Sequence, residues 1–320
     1  MMPQAPEGGP RPRSKGALER AIRQHRRAVL VVNTRSRRGR RHYPAVLAGV
    51  QAAGFDLLGT FQTSQAGGLD ASLSAAMDLR PDLLIVGGGD GSISAAARRL
   101  AYADTALGLV PLGTTNNFAR TLGIPLTPAG AIGVLAGGKV ADVDLGQAGD
   151  AVFANLVSAG LSAQVAASVP HQLKRVAGRA AYPLTALAAL PRHRAFHAVI
   201  SAGNRSYELE THQLNIANGS FHAGRPITGD AGADDRLLLA YTLGGPGRAS
   251  LITATLWHAA RGTRRTWAEP AFLAVSELRL ETDPPLPLDV DGEIRGHTPA
   301  LITLAPEALR VMVDRDFPDT

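Results

Sequence analysis

The residues best suited to chemistry lie in one short run, Gly87-Gly88-Gly89-Asp90-Gly91-Ser92. This run follows an apolar segment, Asp82–Val86, that predicts a strand, and it precedes a predicted helix over Ser92–Leu100. At such a junction of an α/β sheet, glycines let the backbone approach a phosphate, and the amides at the helix start donate to it. Asp90 is then placed to orient a metal ion or to accept a proton from an attacking hydroxyl. The alternative interpretation is a tight turn with a helix-capping aspartate.

A second polar loop follows the next predicted strand, Leu107–Val110, and runs from Pro111 to Phe118. It carries hydroxyls and amides that can donate to a phosphate or a base and accept from a ribose, namely Thr114, Thr115, Asn116 and Asn117. Asn33, at the end of the first predicted strand, supplies a third wall. Neither loop contains the Gly-Lys-Ser/Thr of a Walker A sequence or the spaced glycines of a dinucleotide fingerprint. Two such loops at neighbouring strand ends predict a nucleotide site.

Two domains are predicted to position these loops. Over residues 28–142, apolar strands alternate with helices, which favours a parallel sheet covered by helices on both faces. Over residues 143–320, strands separated by hairpin turns predict a β-rich, antiparallel, sandwich-like domain. Within it, Ala151–Val157 and Tyr207–Ala217 each read as one strand. Residues 1–27 are interpreted as a flexible basic arm, and residues 34–42 as a polar loop before a helix from about Tyr43.

Composition narrows the class of protein. The 320 residues include no cysteine, which excludes disulfides, thiolate metal sites and a cysteine nucleophile. Residues 1–41 hold 12 of the 33 Lys and Arg residues but 2 of the 27 Asp and Glu residues. This arm could bind anionic lipid, nucleotide phosphates or nucleic acid. No secretory signal is recognised, and the charge-free run Ala151–Leu173 is too polar for a membrane span, so we expect a cytoplasmic protein.

The two loops, in their order along the chain, resemble the catalytic domain of the diacylglycerol kinase and sphingosine kinase family, especially its soluble bacterial lipid kinases. Gly-Gly-Asp-Gly-Ser is followed by Pro-Leu-Gly-Thr-Thr-Asn-Asn-Phe-Ala-Arg, as in that family. The resemblance continues through Asn155–Gly160, Asn218-Gly219 and the Asp-Gly-Glu run at 291–293. It therefore spans nearly everything from Val29 to Arg315.

The resemblance implies a two-domain kinase that uses ATP and Mg²⁺ to phosphorylate a hydroxyl of a membrane lipid such as diacylglycerol. In such an enzyme the phosphates would be contacted by Gly87, Gly88, Gly89, Asp90, Gly91 and Ser92. The nucleotide site would be lined by Asn33, Thr63, Gly113, Thr114, Asn116 and Asn117. Catalysis would involve Asp90, Asp291 and Glu293, with Asp291 favoured narrowly over Glu293 as the base, although Asp291-Gly292 also suits a plain turn. The family's structural Mg²⁺ would be held by Asp234 and Asp235.

Departures from the family pattern leave other interpretations open. Ser94-Ala95 stands where the family often has Asn-Glu, and Arg236 and Leu239 replace a glycine and an acid near the expected Mg²⁺. A non-catalytic lipid- or nucleotide-binding relative is therefore one alternative, and an NAD kinase-like enzyme, which shares the Gly-Gly-Asp-Gly loop, is another. A nucleic-acid binder would depend on the arm alone, so we expect no nucleic-acid partner. The expected partner is a membrane lipid, met peripherally at the anionic inner face of the membrane.

Overall fold

The structure is a computed structural model that describes residues 13–65, 68–168, 193–222, 224–227, 236–242, 247 and 273–319. The chain forms two compact units. The first unit runs to Leu145 and resumes at Pro306, and the second lies between them. Asp234 and Asp235, with the helical stretches expected near 173–190 and 250–261, lie outside the described residues. Among the residues described, no helix has both the length and the apolar character needed to cross a membrane.

The first unit is an α/β domain built on a parallel sheet. Its elements are α1 (Lys15–His25), β1 (Arg27–Val32), α2 (Arg37–Ala52), β2 (Asp56–Gln62), α3 (Gly68–Asp78), β3 (Leu83–Gly88), α4 (Asp90–Leu100), β4 (Ala106–Pro111), α5 (Asn117–Thr121), α6 (Pro128–Gly137) and most of β5 (Lys139–Ala148). The strands lie in the order β2-β1-β3-β4, all parallel. The last residues of a long strand, β18 (Ala300–Val313), join β4 in parallel.

Helices cover both faces of this sheet. On one face, α1, α2 and α6 pack against the core side chains of β1, β3 and β4. On the other face, α3 contacts β1 and β2, and α4 contacts β3 and β4. The central strands β3 and β4 are buried along their whole length, as a sheet covered on both sides requires. The predicted α/β fold of this unit is confirmed.

The basic segments that the sequence assigned to an arm and a loop are helical in the structure. Leu18 and Ile22 of α1 are buried in the core, so the segment from Lys15 is part of the folded unit, whereas the sequence interpretation kept it flexible to residue 27. Helix α2 begins six residues before Tyr43, because the Ser36 side chain caps it by accepting from the Gly39 amide at 2.9 Å. Apolar periodicity did not indicate either start, since the first turn of α2 is polar and α1 buries only Leu18 and Ile22.

Ion pairs fasten the first described residues to the sheet. Arg13 donates to Asp82 and Asp104, both at 2.7 Å, and Lys15 lies 2.8 Å from Asp319. Partial burial lowers the pKa of Arg13, but its hydrogen bonds and ion pairs with the two aspartates outweigh this, so the pKa is raised on balance. Arg13, Lys15 and Asp319 are thereby held to the first unit, and residues 306–319 belong to it rather than to the second domain predicted over 143–320.

The second unit is a β sandwich. Its elements are β6 (Ala151–Phe153), β7 (Leu156–Gly160), α7 (Leu161–Ser168), β8 (Phe196–Ala202), β9 (Arg205–Thr211), β10 (Gln213–Asn218), β11 (Phe221–His222), β12 (Arg225–Pro226), β13 (Leu238–Thr242), β14 (Leu273–Val275), β15 (Glu277–Asp283), β16 (Pro287–Val290) and β17 (Glu293–His297). One antiparallel sheet has the order β14-β13-β10-β7-β16-β17. The other has the order β18-β15-β8-β9, in which the start of β18 pairs with β15, β15 with β8, and β8 with β9.

The inner faces of the two sheets form one apolar core. Val157, Leu214 and Ile216 of one sheet pack in the same cluster as Ile200 and Leu280 of the other. The predicted antiparallel, sandwich-like fold is confirmed. Two segments expected as single strands are each divided: the first breaks at 154–155 between β6 and β7, and the second at His212, where β9 lies in one sheet and β10 in the other.

Candidate functional site

The candidate site begins at the carboxyl edge of the parallel sheet in the first unit. Asn33 follows β1, Thr63 follows β2, and the two polar loops follow β3 and β4. The Asn33 amide donates to the Gly87 carbonyl at 2.8 Å, and the Gly113 amide donates to the Gly88 carbonyl at 3.1 Å. The structure thus brings these predicted positions to one edge, where α/β proteins bind ligands.

Asp90 joins the two polar loops. It is the first residue of α4, and its Oδ2 accepts from the Thr115 hydroxyl at 2.6 Å while its Oδ1 accepts from the Asn117 amide at 2.6 Å. A carboxylate can accept about four hydrogen bonds, so these two contacts leave capacity for a ligand. Thr115 was noted for its hydroxyl but was not among the predicted site residues, because only the fold brings it to Asp90.

Most glycines of these loops are required by close packing. A Cβ on Gly113 would lie 2.3 Å from the Gly89 Cα, and one on Gly88 would lie 2.5 Å from the Ser92 Cβ. Gly87 is less tightly packed, with 3.1 Å from such a Cβ to a side-chain methyl of Val32. The overlaps at Gly113 and Gly88 explain those two glycines without a ligand, because a larger residue would displace the neighbouring backbone or the start of α4.

Gly91 is different. Among the described residues, no atom comes within 4 Å of a Cβ built on it, and Gly91 is exposed. Its φ is not positive, so neither packing nor backbone conformation demands a glycine there. The amides of Ser92 and Ile93 already donate to the Gly89 carbonyl, at 2.9 and 3.1 Å. The open first turn of α4, with its favourable dipole, therefore suits an anion that approaches the backbone closely.

Several predicted nucleotide contacts instead hold the loops in shape. Asn33 donates through Nδ2 to the Ser92 hydroxyl at 2.8 Å, and Ser92 is buried. Asn116 is buried and has a left-handed backbone conformation. Its side-chain Oδ1 accepts from the Gly113 backbone amide at 2.9 Å, and its Nδ2 donates to the Gly113 carbonyl at 3.2 Å. Thr63 is buried, with its hydroxyl 3.5 Å from the Val32 carbonyl. Thr114 is exposed on the loop. Direct contact of these residues with a nucleotide stays a prediction.

Two arginines that were not among the predicted site residues flank the second loop. Arg38, in the first turn of α2, donates through Nη1 to the Gly113 carbonyl at 2.7 Å. Arg120, at the end of the loop motif, donates through Nε to the Thr115 carbonyl at 2.8 Å. The sequence signals were the arginine-rich run after β1 and the Phe-Ala-Arg that closes the motif. Both guanidinium groups carry donors beyond the one used here, which a phosphate could occupy.

In the second unit, Asp291 of the Asp-Gly-Glu run binds backbone amides. Its carboxylate accepts from Ala154 at 2.7 Å, from Asn155 at 3.0 Å and from Leu156 at 2.9 Å. The Asp291 amide in turn donates to the Leu156 carbonyl at 2.9 Å, and Asp291 has a φ of +50°. Glu293, two residues on, is exposed, and its Oε2 accepts from Arg295 at 2.8 Å. The two acids of the run therefore have different surroundings.

The predicted structural Mg²⁺ site stays a prediction; among the described residues, no group of three or more His, Asp or Glu side chains is placed to hold an ion. Asp234 and Asp235, the predicted ligands of a structural Mg²⁺, lie outside the described residues.

Comparison with known proteins assigns both units. Residues 27–148 match the family described as "Diacylglycerol kinase catalytic domain", and residues 155–313 match "YegS C-terminal NAD kinase beta sandwich-like domain". The chain is 34% identical over 272 residues to a protein of Pseudomonas fluorescens named "Probable lipid kinase YegS-like", covering 84% of this chain and 89% of that one. It is 27% identical over 300 residues to a protein of Staphylococcus epidermidis named "Diacylglycerol kinase", covering 91% and 93%.

A crystal structure of a diacylglycerol kinase from Bacillus anthracis shares the fold, with a TM-score of 0.71 at 21% identity over 92% of this chain and 99% of that chain. Fold, motifs and family matches together define a kinase with an α/β catalytic domain and a β-sandwich domain. The chain belongs to the YegS-like branch of the diacylglycerol kinase family and is a lipid kinase.

Proposed function

We propose that this chain transfers the γ-phosphoryl group of ATP to a hydroxyl of a membrane lipid such as diacylglycerol. The observation that carries the proposal is the pair of loops joined by Asp90, which leaves the first turn of α4 open at Gly91. An open helix start beside a fixed carboxylate suits a triphosphate, and phosphoryl transfer depends mainly on such positioning. The relatives named as lipid kinases and as a diacylglycerol kinase support a lipid acceptor.

In the proposed step, the lipid hydroxyl oxygen bonds to the γ-phosphorus, and the bond from that phosphorus to the oxygen bridging to the β-phosphate breaks. The electron pair of that bond leaves with ADP, and the hydroxyl proton passes to a carboxylate of the chain. The amides of Asp90 and Gly91 at the start of α4 would hold the phosphates, because those of Ser92 and Ile93 already donate to the Gly89 carbonyl. Arg38 and Arg120 would stabilise the charge on the transferring group, because each already borders the second loop.

The residues present fit Mg²⁺ of the kind that accompanies a nucleotide. Such an ion is commonly held by one or two carboxylates, substrate phosphates and water, rather than by an all-protein cage. Asp90 supplies a carboxylate at the loops with acceptor capacity to spare, so it would hold the ion together with the phosphates. When bound, Mg²⁺ neutralises charge on the phosphate oxygens.

The arginine-rich segment 35–41, which includes the start of α2, supports a peripheral encounter with an anionic membrane. After β1, the seven residues 35–41 include five exposed arginines, namely Arg35, Arg37, Arg38, Arg40 and Arg41. Clusters of this kind are attracted to anionic lipids by about 1 kcal/mol for each arginine near the surface. A cytoplasmic kinase that meets its lipid at the inner face of the membrane is the setting that we propose.

The acceptor can be identified with ATP labelled on the γ-phosphate, Mg²⁺ and a panel of acceptors in mixed micelles: diacylglycerol, monoacylglycerol, a sphingoid base, an isoprenoid alcohol and, separately, soluble NAD. We expect label in diacylglycerol. Label confined to another lipid would keep the lipid kinase and change its acceptor, whereas label confined to NAD would replace the proposal. ATP binding without transfer to any acceptor would indicate a non-catalytic relative.

A further inference from the structure

A cleft of about 460 Å³ lies within the second unit, bordered by the β5–β6 turn, the end of β17 and the start of β18. Its lining includes Leu288, which is buried and belongs to the apolar core of the sandwich. Three alanines of the lining, Ala148, Ala151 and Ala300, lie in or against the same core. Because these side chains are small, the apolar core reaches the surface here through an opening of the size that small ligands occupy.

The first wall of the cleft is a tight turn that hydrogen bonds hold in place. Gly149 and Asp150 form the two-residue turn between β5 and β6, and Gly149 has a φ of +58°. The Gly149 amide donates to the Leu301 carbonyl at 3.2 Å, and its carbonyl accepts from the Gln147 side chain at 2.9 Å. The backbone that carries Asp150 is therefore fixed without a ligand.

The second wall is held by a buried threonine. Thr298 lies between His297 and Pro299, which both line the cleft. Its Oγ1 accepts from the Leu286 amide at 2.8 Å, and its own amide donates to the Leu286 carbonyl at 2.9 Å. Both walls are thus in place before any ligand arrives, and a preorganised site loses little entropy on binding.

The cleft carries charged groups of both signs. Asp150, on the first wall, is exposed, and within the described ranges its carboxylate has no hydrogen-bond or ion-pair partner. Arg295 and His297, two residues apart on β17, project to the same side of that strand. Arg295 binds Glu293 through Nε at 3.0 Å and Nη2 at 2.8 Å, which leaves both N–H groups of Nη1 for another acceptor. One wall therefore offers a carboxylate, and the other offers donors.

We propose that this cleft binds a phospholipid with a phosphoethanolamine head group, its ammonium on Asp150 and its phosphate on Arg295 and His297. A ligand with a single charge would meet a group of like charge on one wall, whereas a zwitterion matches both. A primary ammonium can donate charge-assisted hydrogen bonds to the carboxylate, which a quaternary one cannot.

The apolar part of the lining favours a lipid over a soluble zwitterion. Leu301, which also lines the cleft, is the most exposed large apolar residue of the described chain, at 49%. Acyl chains would cover this surface and the alanines beside it. A phosphoethanolamine lipid has no free hydroxyl to accept a phosphate, so this inference goes beyond the proposed function: the bound lipid is a membrane component other than the acceptor.

The test is calorimetric titration of the natural chain, without nucleotide, with dihexanoyl phosphatidylethanolamine held below its micelle concentration. We expect saturable one-to-one binding. Dihexanoyl phosphatidylmethanol keeps the phosphate and the acyl chains but lacks the ammonium, and free phosphoethanolamine lacks the chains. Each should bind at least about tenfold more weakly, because each loses one of the two sets of contacts.

Two variants place the binding in the cleft. Asp150→Asn should weaken phosphatidylethanolamine about tenfold and change phosphatidylmethanol less than about twofold, because only the ammonium contacts Asp150. His297→Gln should weaken both lipids, since both carry the phosphate. The matched control is Asp56→Asn, an exposed aspartate of the first unit, which should leave both affinities unchanged. All three positions are exposed, so the unfolding midpoints should also stay unchanged.

The proposal would be overturned by an absence of saturable binding, by equal affinities for phosphatidylethanolamine and phosphatidylmethanol, or by an Asp150→Asn variant that binds phosphatidylethanolamine normally. Free phosphoethanolamine that binds as tightly as the lipid would overturn the assignment to a lipid. The titration needs no phosphate transfer. A natural chain without kinase activity would therefore defeat the proposed function, while this measurement would still decide whether the cleft binds the lipid.

Discussion

Each unit of this kinase contains an aspartate that fastens two segments far apart in the chain, yet the two aspartates differ in what they leave exposed. Asp90 accepts one hydroxyl and one amide, from Thr115 and Asn117, and lies at the open first turn of a helix. Asp291 accepts three amides in succession and closes a turn. An aspartate can therefore connect two backbone segments and still have acceptor capacity for a ligand, as Asp90 does, or use most of its acceptor capacity on the backbone, as Asp291 does.

Two glycines beside Asp90 should respond differently to substitution by alanine. Gly113→Ala should lower the free energy of unfolding by about 3 kcal/mol, because its Cβ would overlap the Gly89 backbone. Gly91→Ala should leave stability unchanged or raise it by up to about 1 kcal/mol, since alanine is the better helix former and the site is open. Urea denaturation measures both. If Gly91 lies against phosphate, Gly91→Ala should nevertheless raise the KM for ATP, and an unchanged KM would remove Gly91 from the nucleotide site.

The two aspartates should separate when each is changed to asparagine. Asp291→Asn should lower the free energy of unfolding by about 2 kcal/mol, because a buried backbone amide of the 154–156 connection would face the side-chain NH₂ group of the asparagine instead of a carboxylate oxygen. Asp90→Asn should cost about 1 kcal/mol, since its Oδ1 can still accept from the Asn117 amide and the Thr115 hydroxyl can accept from the new NH₂ group, while the charge of the carboxylate is lost. Thermal and urea unfolding of the two variants, prepared in parallel, check the order. Equal stabilities would show that the three amides of Asp291 contribute no more than the two contacts of Asp90.

Arg38 and Arg120 test whether positive charge beside the second loop contributes to ATP binding. Arg38→Met and Arg120→Met should each raise the KM for ATP about tenfold, the effect of losing a charge-assisted hydrogen bond of about 1.4 kcal/mol. The matched control is Arg99→Met, because Arg99 is exposed on α4 and contacts the Ser74 hydroxyl at 2.7 Å. Steady-state kinetics at saturating lipid provide the measurement. A rise in KM for Arg99→Met of the same size would mean that only the general charge of the unit matters.

The smallest effect is expected from the first residues of the chain. Residues 1–12 hold one arginine and one glutamate, so their deletion should change binding to anionic vesicles by less than about twofold. Changing Arg35, Arg37, Arg40 and Arg41 to glutamine should instead weaken vesicle binding by about tenfold or more. Vesicle sedimentation at physiological salt distinguishes the two. A large loss of vesicle binding on deletion of residues 1–12 would indicate that the membrane contact lies in the N-terminal arm instead.

The pattern of apolar residues predicted both folds. Strands buried on both faces of a sheet are continuously apolar, whereas strands of a sandwich alternate apolar and polar residues. The glycine loops could also be recognised, because a predicted strand and a predicted helix flank them directly. What local pattern could not reveal were contacts across long separations, such as Asp291 with residues 154–156 or Arg38 with Gly113. Helix α1 was missed because its polar residues outnumber the two buried side chains, Leu18 and Ile22, that fix it.

The role of Asp90 in phosphate transfer can be measured as the initial rate of labelled γ-phosphate transfer from ATP to diacylglycerol, compared between the natural chain and Asp90→Asn. We expect label in the lipid with the natural chain and a rate lower by about a thousandfold with the variant, which keeps its fold but loses the carboxylate at the phosphates. Transfer by Asp90→Asn at a near-normal rate would contradict the role of the joined loops. Absence of lipid phosphorylation by a folded natural chain that binds ATP would contradict the proposed reaction itself.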